Sequence, residues 1–513
     1  MTSSLSEIPS LTRRQSGVLL FSILIVALCG IVYELIIGTV SSYLLGNSVY
    51  QFSLTIGFFM FAMGIGSLIS KYFDESYVRN FILVEIAIAL VGGVCSVALF
   101  LAFPFARVLY ETIQYSLILL IGALVGMEIP ILTTLLTKNK KLKESIAEVM
   151  SLDYVGALIG SVSFPLLLLP SLGLIQSSFA IGIINILIAI ANVVVFRNHL
   201  AHFHTMLRAC IVVLALLVLC VFGGSEISHF AEKHLYFDQV IFSKQTPYQK
   251  IVVTRSTTTR DQRLFIDGHI QFSSRDEYRY HEYLVHPLLA QPGSRENILI
   301  LGGGDGLAAR EVLKYSDVKL LHLVDIDPEM VRIGRDLPTL ERLNNKSLHD
   351  PRVSIFNEDA FSFINQPGIL YDRVIIDMPD PHNEAINKLY SREFYKMIAH
   401  RLAANGILVT QSSSPFFTRR VFWCIEATLA SVFDFTRSYH TALPSFGIWG
   451  FNMARNGSAF SDEIQLTVAT RAITNKGMLL ASTFDKDMTR LEMPVNSIME
   501  PKLYQFYIED LRR

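Results

Sequence analysis

A pair of aspartates three positions apart, Asp377 and Asp380, follows the apolar run Val374-Ile375-Ile376. Paired carboxylates attract and orient an ammonium group, and one of them can take the proton that must leave before an amine nitrogen attacks an electrophile. A methyltransferase that acts on an amide or base nitrogen more often has Asn-Pro-Pro-aromatic at such a place. The pair therefore favours a small amine as substrate over the alternative, in which both acids only cap a turn.

A second chemical signal is the stretch 302–306, Gly-Gly-Gly-Asp-Gly, which follows the apolar run 298–301. Asp325 comes about twenty positions after Asp305, where a carboxylate can bind ribose hydroxyls. The loop lacks the Gly-x-Gly-x-x-Gly spacing of a dinucleotide site, and its own carboxylate repels phosphate but attracts a cation. We therefore expect an S-adenosyl-type ligand, with a sulfonium and an amine, rather than NAD.

Strands and helices that alternate along the chain must position these residues. The predicted strands are 297–301, 319–324, 352–356, 372–377 and 406–411, and the helices are 307–315, 328–335, 359–364 and 391–400. This order predicts a soluble α/β, Rossmann-like domain of the methyltransferase type, whose parallel sheet binds its ligand at the carboxyl ends of the strands. Asp325, Asp359 and Asp377 stand at or just past three of those ends.

A small antiparallel β domain is expected in front of this sheet. Residues 238–272 alternate as strands do, and the turn Asp267-Gly268 separates the last two of them. A helical pattern over 276–289 then leads into the first strand of the α/β domain.

The first half of the chain is strongly apolar. The 513 residues are 51% hydrophobic and 17% charged, with a mean hydropathy of +0.41, which indicates a membrane portion. About seven segments approach the roughly 20 residues that a membrane span needs, namely 17–45, 50–70, 80–103, 108–136, 146–170, 173–196 and 206–223. The net charge of −1 gives no reason to expect a nucleic acid partner, and the five cysteines show no disulfide or metal spacing.

Basic residues fall at alternate connections between these segments. They are Arg13, Arg14, Lys71, Arg79, Lys138, Lys140, Lys141, Lys143, Arg197 and Arg208, with Arg107 as the exception. The positive-inside rule therefore predicts a cytoplasmic amino terminus in the cell membrane. Seven spans would put the second half of the chain outside the cytoplasm, whereas cytosolic substrates favour the inside, and the sequence leaves the side open.

Four acids lie at membrane depth: Glu34, Glu85, Glu128 and Asp153. Such acids face the interior of a helix bundle and have partners there. They either hydrogen-bond between helices or bind or conduct a cation such as a polyamine. Gly156 and Gly160 next to Asp153 form a small-xxx-small face for close helix packing.

Several further motifs stand in the second half of the chain in a fixed order. They are Tyr-Gln-Lys-Ile (248–251), Ile-Asp-Gly-His-Ile-Gln (266–271), Asp-Glu-Tyr-Arg-Tyr-His-Glu (276–282), the glycine loop (302–306), Arg-Glu-Val-Leu-Lys (310–314), Asp-Ile-Asp (325–327), Glu-Asp-Ala (358–360) and Asp-x-x-Asp-Pro (377–381). Residues from about 240 to 455 thereby resemble the spermidine synthase (polyamine aminopropyltransferase) family. The apolar half resembles the membrane-anchored branch of that family.

The resemblance implies a role for each matching residue. Asp377 would be the base that deprotonates the attacking amine. The polyamine would be bound by Gln271, Tyr280, His281, Asp305, Asp380 and Gln411. Decarboxylated S-adenosylmethionine would be the co-substrate, with no cofactor and no metal, and would be bound by Gln249, Asp305, Asp325, Asp359 and Ala360. The alternatives without a functional role are a position on the helix surface for His281 and core packing for Tyr280.

The expected reaction transfers an aminopropyl group to putrescine and gives spermidine and 5′-methylthioadenosine. The expected domains are a tail (1–16), a transmembrane helical domain (17–223), a small β domain with its linking helix (235–290) and the Rossmann-like catalytic domain (291–513). We also expect contact with the lipid bilayer and a homo-oligomer. Alternatives are an S-adenosylmethionine-dependent methyltransferase on a small or lipid-borne amine, and a polyamine transporter or sensor.

Departures from the family pattern leave the acceptor amine open. His382-Asn383-Glu384 stands where a Gly-Pro pair usually follows, and 443–450 lacks an expected Tyr-Pro-Ser-Gly. Asp325 replaces the more usual glutamate. Putrescine is the default acceptor, with cadaverine, agmatine and spermidine as alternatives.

Overall fold

The structure of the protein, a computed structural model, describes residues 11–511 except 46–47, 74–75, 138–140, 382–383 and 463–464; for 224–234 and 384–385 it describes the backbone alone. Lys138, Lys140, His382 and Asn383 therefore lie outside the described residues, as does most of the predicted tail. The chain divides into two compact units, Met1–Val240 and Ile241–Arg513.

Long α-helices build the first unit. They are α1 (Arg13–Leu45), α2 (Ser48–Ser70), α3 (Tyr77–Phe105), α4 (Tyr110–Leu136), α5 (Leu142–Ser163), α6 (Leu169–Val195) and α7 (Phe203–Leu235). By length and composition, six stretches of the described chain are long and apolar enough to cross a membrane. The first begins inside the predicted tail, and α7 continues beyond the predicted end at 223.

One of the six stretches, Leu142–Val195, is 54 residues long and contains two of the predicted segments. A π-helical turn at Phe164–Leu168 joins α5 to α6, and Gly173 then leaves the helical conformation with φ 72° and ψ −176°. Such a positive φ favours glycine, because a Cβ makes it strained. The sequence therefore predicts the break between 170 and 173 but treats as two segments what the structure builds as one bent helix.

The small-residue face of α5 packs against α1. A Cβ added at Gly156 would lie 2.2 Å from the carbonyl oxygen of Leu24, and one added at Gly160 would lie 2.3 Å from Cγ2 of Ile31. Only glycine permits this approach of the two backbones, as the spacing predicts.

A small four-stranded sheet opens the second unit in the order β1 (Gln239–Gln245), β2 (Lys250–Arg255), β3 (Gln262–Ile266) and β4 (His269–Ser273). The β2–β3 and β3–β4 pairs are antiparallel. Helix α8 (Glu277–Leu289) follows. Ile251, Leu264 and Phe272 of this sheet pack against Leu307 and Met330 of the α/β portion, so the two portions share one apolar core.

A seven-stranded sheet forms the rest of the unit. Its strands are β5 (Asn297–Gly302), β6 (Leu320–Val324), β7 (Val353–Phe356), β8 (Tyr371–Asp377), β9 (Leu402–Gln411), β10 (Phe435–Leu443) and β11 (Gly447–Arg455). The spatial order is β10-β11-β9-β8-β5-β6-β7. The strands from β9 to β7 are parallel, as predicted, whereas β11 and β10 add an antiparallel hairpin at one edge that the sequence analysis does not include.

Helices cover both faces of this sheet. They are α9 (Leu307–Val312), α10 (Pro328–Asp336), α11 (Pro338–Leu343), α12 (Ala360–Asn365), α13 (Glu384–Asn387), α14 (Arg392–Arg401), α15 (Arg419–Ala430), α16 (Asn475–Ala481) and α17 (Leu503–Leu511). Alternate residues of β5 serve the two faces: Ile298 and Ile300 belong to one core cluster, and Leu299 and Leu301 to the other. A strand that is apolar on both faces is typical of a sheet with two helical layers.

Candidate active site

A cavity of about 480 Å³ opens at the carboxyl ends of the central strands, between the glycine loop and the small sheet. It lies within the second unit. All the residues for which the sequence predicts a site role line it: Gln249, Gln271, Tyr280, His281, Asp305, Asp325, Asp359, Ala360, Asp377, Asp380 and Gln411. Motifs that are far apart in the sequence are thus brought to one place.

The glycine loop lets β5 approach the end of β8. Gly302 pairs with Asp377 in the parallel register, and its φ is 85°. A Cβ at Gly302 would lie 2.1 Å from the carbonyl oxygen of Asp377, so only glycine fits there. The Asp377 carboxylate lies next to the loop, since a Cβ at Gly303 would be 3.2 Å from its Oδ2 atom.

Asp377 has an oriented carboxylate. The hydroxyl of Tyr280 on α8 donates a hydrogen bond of 2.7 Å to its Oδ1 atom. Burial raises the pKa of Asp377, while the charge of His281 and the Tyr280 hydrogen bond oppose that rise. The arrangement leaves Oδ2 facing the loop and holds the carboxylate ready to accept a proton.

Asp380 and Gln411 form the neighbouring part of the wall. Ser413 Oγ donates to Asp380 Oδ2 at 3.2 Å, and burial raises the pKa of Asp380 to about 7. The Gln411 amide donates to the carbonyl oxygen of Met378 at 2.8 Å and to the hydroxyl of Tyr390 at 2.5 Å. Gln411 therefore lines the cavity, and its amide group also fixes the chain between the two aspartates.

His281 is buried, so the surface alternative is wrong. Its Nδ1 atom lies 2.8 Å from the carbonyl oxygen and 3.0 Å from Oε2 of Glu277, and both of these atoms only accept, so Nδ1 carries a proton. Burial lowers the pKa of His281, but the hydrogen bond and charge of Glu277, with Asp305 and Asp377 nearby, raise it above its usual value. A cationic imidazole beside these carboxylates helps them to remain ionised.

Asp325 and Asp305 lie on the glycine-loop side of the cavity. Asp325 accepts hydrogen bonds of 2.9 Å from the backbone amides of Gly304 and Asp327, which fix both of its oxygens. Asp305 Oδ1 accepts one of 2.9 Å from the amide of Leu307. Burial raises the pKa of each of these two aspartates to about 6. Both carboxylates are thus oriented by backbone rather than by flexible side chains.

Asp359 and Gln249 have protein partners that the sequence analysis does not identify. Asp359 caps α12, which begins at Ala360, and its Oδ2 atom forms an ion pair of 2.7 Å with Lys388 Nζ. Gln249 Nε2 donates to Asp327 Oδ2 at 3.0 Å.

A further part of the cavity wall is aromatic and comes from 443–450, the stretch that lacks the expected Tyr-Pro-Ser-Gly. Phe446 and Trp449 line it, and their ring centroids lie 5.0 Å apart in an edge-to-face contact. The ring centroid of Tyr280 lies 6.5 Å from that of Trp449. Gln271, on β4, lines the cavity and donates to the carbonyl oxygen of His269 at 3.2 Å. Aromatic faces suit both the methylene chain and the charged end of an amine.

The titratable side chains of the described residues also bear on a possible metal site. Within those residues, no three or more His, Cys, Asp or Glu side chains are grouped so that they could hold a metal ion.

Known proteins that are similar to this chain identify the family to which it belongs. The spermine/spermidine synthase domain matches residues 277–463. The polyamine aminopropyltransferase of Leptospira interrogans is 40% identical over 496 residues, which are 96% of this chain and 99% of that one. That of Oceanobacillus iheyensis is 40% identical over 502 residues, 96% and 97% of the two chains. These alignments include the helical unit.

The solved structure of spermidine synthase from Thermotoga maritima is also similar, with a TM-score of 0.44 and 24% identity over 48% of this chain and 87% of that one. The near full-length matches at 40% identity decide the classification. The chain belongs to the spermine/spermidine synthase family of polyamine aminopropyltransferases, and it is therefore a transferase that moves an aminopropyl group.

Proposed function

We propose that the protein transfers the aminopropyl group of decarboxylated S-adenosylmethionine to putrescine, with spermidine and 5′-methylthioadenosine as products. The observation that carries the proposal is that the carboxylates of Asp377 and Asp380 line the same cavity as the glycine loop. The loop suits a nucleoside with a cationic tail, and the paired acids suit a diamine.

In this proposal the nucleoside occupies the side of the cavity formed by the ends of β5 and β6. Asp325 binds the ribose hydroxyls, since backbone amides already hold its oxygens in place. Asp359 and Ala360 contact the adenine, and Gln249 contacts the thioadenosine. Asp305 binds the ammonium end of the aminopropyl group.

The diamine occupies the remaining space, between α8 and the β8 loop. Asp380, Tyr280, His281, Gln271 and Gln411 bind and orient it. The amino group of the diamine that lies nearer to Asp377 loses its proton to this carboxylate, whose other oxygen is fixed by Tyr280. The neutral nitrogen then attacks the carbon next to the sulfonium; a C–N bond forms, the C–S bond breaks, and its electron pair leaves on the neutral thioether sulfur. Positioning and proton removal together supply the rate enhancement.

The experiment uses the purified full-length protein with both substrates. Chromatography should detect 5′-methylthioadenosine and spermidine in equal amounts. S-Adenosylhomocysteine formed from S-adenosylmethionine would indicate a methyltransferase instead, and the absence of any transfer to a diamine would refute the proposal.

We further propose that the helical unit spans the cell membrane. The support is its six long apolar stretches and the basic residues at alternate connections. The Leu142–Val195 stretch is 54 residues long, or about 80 Å of helix, and so is long enough to cross twice at the break near Gly173. Two crossings there give seven in total and put the catalytic unit opposite the amino terminus; one crossing gives six and puts them on the same side. Protease accessibility of the carboxyl terminus in sealed vesicles distinguishes these arrangements.

A further inference from the structure

Two glutamates in the interior of the helical unit have no basic partner. Glu85 on α3 is 0% exposed and Glu128 on α4 is 2% exposed. In the part of the chain that the structure describes, neither forms an ion pair with a lysine, arginine or histidine, and the donor beside Glu85 is the uncharged side-chain amide of Asn185. An isolated buried carboxylate is too costly to remain so, and it must gain a proton or a cation.

The two side chains lie within hydrogen-bonding reach of each other. Carboxylate oxygens only accept, so a hydrogen bond between two carboxyl groups requires a proton on one of them. Asn185 on α6 lies beside them, where its Nδ2 atom donates to the backbone carbonyl oxygen of Glu85 at 3.0 Å. The geometry thus suits a pair that shares a proton.

A third polar group points to the same place. The hydroxyl of Tyr33 on α1 is fully buried, has no hydrogen-bond partner among the described residues, and interacts electrostatically with both Glu85 and Glu128. The unit is tightly packed there, because a Cβ at Gly92 would lie 2.5 Å from the Tyr33 ring. Tyr33 is therefore held close against α3, the helix that carries Glu85.

A third acid of the same unit, Asp153 on α5, is less enclosed than the pair. It is half-buried, and its charge acts on Glu128. Acids in series within a helix bundle are the usual groups along which protons move through a membrane protein.

We propose that Glu85 and Glu128 form a proton-binding site in the helical unit, and that the site exchanges its proton through Asp153. One carboxylate takes the proton that a hydronium ion gives up, and the second carboxylate accepts the resulting hydrogen bond. None of these three acids is among the residues that line the cavity of the second unit, so the helical unit would have a chemistry of its own.

The test is infrared difference spectroscopy of the full-length protein in detergent at neutral pH. The spectrum of the wild type minus that of E85Q/E128Q should contain the carbonyl band of a protonated carboxylic acid, and this band should shift in heavy water. Each single variant should move the band, because the remaining acid then bonds to an amide. If the double variant does not elute as the wild type does, the single variants carry the test.

The matched control is E111Q, which changes an exposed glutamate of α4 and should leave the band unchanged. Asp153→Asn should keep the band and slow its hydrogen–deuterium exchange. A difference spectrum without a carboxylic acid band would overturn the proposal. Loss of the band on addition of Na⁺, K⁺ or putrescine would also overturn it, since that cation would then be the ligand.

Discussion

The Nδ1 atom of His281 lies 3.0 Å from the Oε2 atom of Glu277, one helical turn earlier on α8. Glu277 is itself held by the guanidinium of Arg310, whose two terminal nitrogens donate at 2.9 and 2.8 Å. The buried carboxylate of Glu277 keeps the Nε2 atom of His281 directed away from Glu277, and it favours the charged form of the imidazole. Burial raises the pKa of Asp305 and of Asp377, and the charge of His281 in turn opposes that rise.

We expect Glu277→Gln to move the acid limb of the pH–rate profile to higher pH. Without the carboxylate the pKa of His281 falls, so the imidazole is already neutral at a lower pH. Asp377 then lacks the neighbouring positive charge and takes up a proton more easily. The expected shift in kcat/KM for the diamine is roughly one pH unit. Glu311→Gln is the control, since Glu311 also contacts Arg310 but does not contact His281. An acid limb that stays in place in Glu277→Gln would contradict the expectation.

Asp377→Asn should lower kcat by about 10²–10⁴-fold, because the amide cannot accept the proton of the attacking amine. KM for the nucleoside should change little. Asp372→Asn lies on the same strand at the opposite end, where the carboxylate accepts from Ser294 and the backbone amide of Asn297, and it should retain activity. Steady-state kinetics of methylthioadenosine release measure both variants; comparable rates in the two would exclude Asp377 as the base.

Diamine binding should stabilise the protein more at a pH above 7 than at a pH below 6. Burial raises the pKa of Asp305 and Asp325 to about 6 and that of Asp380 to about 7. Each folded-state pKa is higher than in the unfolded chain, so the folded protein holds more protons and loses stability as the pH rises through this range. The diamine dication compensates for Asp380, which lies in the diamine's part of the cavity, only once that carboxylate is ionised. Thermal unfolding with and without putrescine tests this, and an equal Tm increase at both pH values would count against it.

Trp449→Ala should shift acceptor preference towards longer amines. Trp449 and Phe446 close the side of the cavity beside Tyr280. Removing the indole lengthens the available space, so the ratio of kcat/KM for spermidine to that for putrescine should rise. Phe416→Ala changes an exposed ring on the loop after β9 and should leave the ratio unchanged. A constant ratio in Trp449→Ala would show that Trp449 does not set acceptor length.

The alternation of apolar runs and helices was sufficient to predict the parallel strands and the acids at their ends. It was not sufficient for β10 and β11. Along β11 the residues from Gly450 to Arg455 are all buried, including Asn452 and Arg455, so no alternation of polar and apolar residues marks the strand. Its place between β9 and β10 is decided by tertiary pairing, which a local pattern does not carry.

Side-chain partners differ in the same way. Glu277 stands four positions before His281 on one helix, a spacing that could have revealed it. Lys388 reaches Asp359 across 29 positions from a short helical turn, and nothing in the local sequence indicates that pair. The role of each predicted cavity residue, the homo-oligomer and the four-domain division stay predictions.

The alternation along β5 also sets the alignment of the catalytic loop. Ile298 and Ile300 enter one core and Leu299 and Leu301 the other, and the same frame places Gly302 opposite Asp377. Shifting the strand by one residue would exchange its two faces. Since both faces are apolar, such a slip would leave the hydrophobic burial nearly intact. A one-residue insertion in β5 would place Leu301 against the Asp377 backbone, where only glycine fits, and so would yield a folded but inactive enzyme.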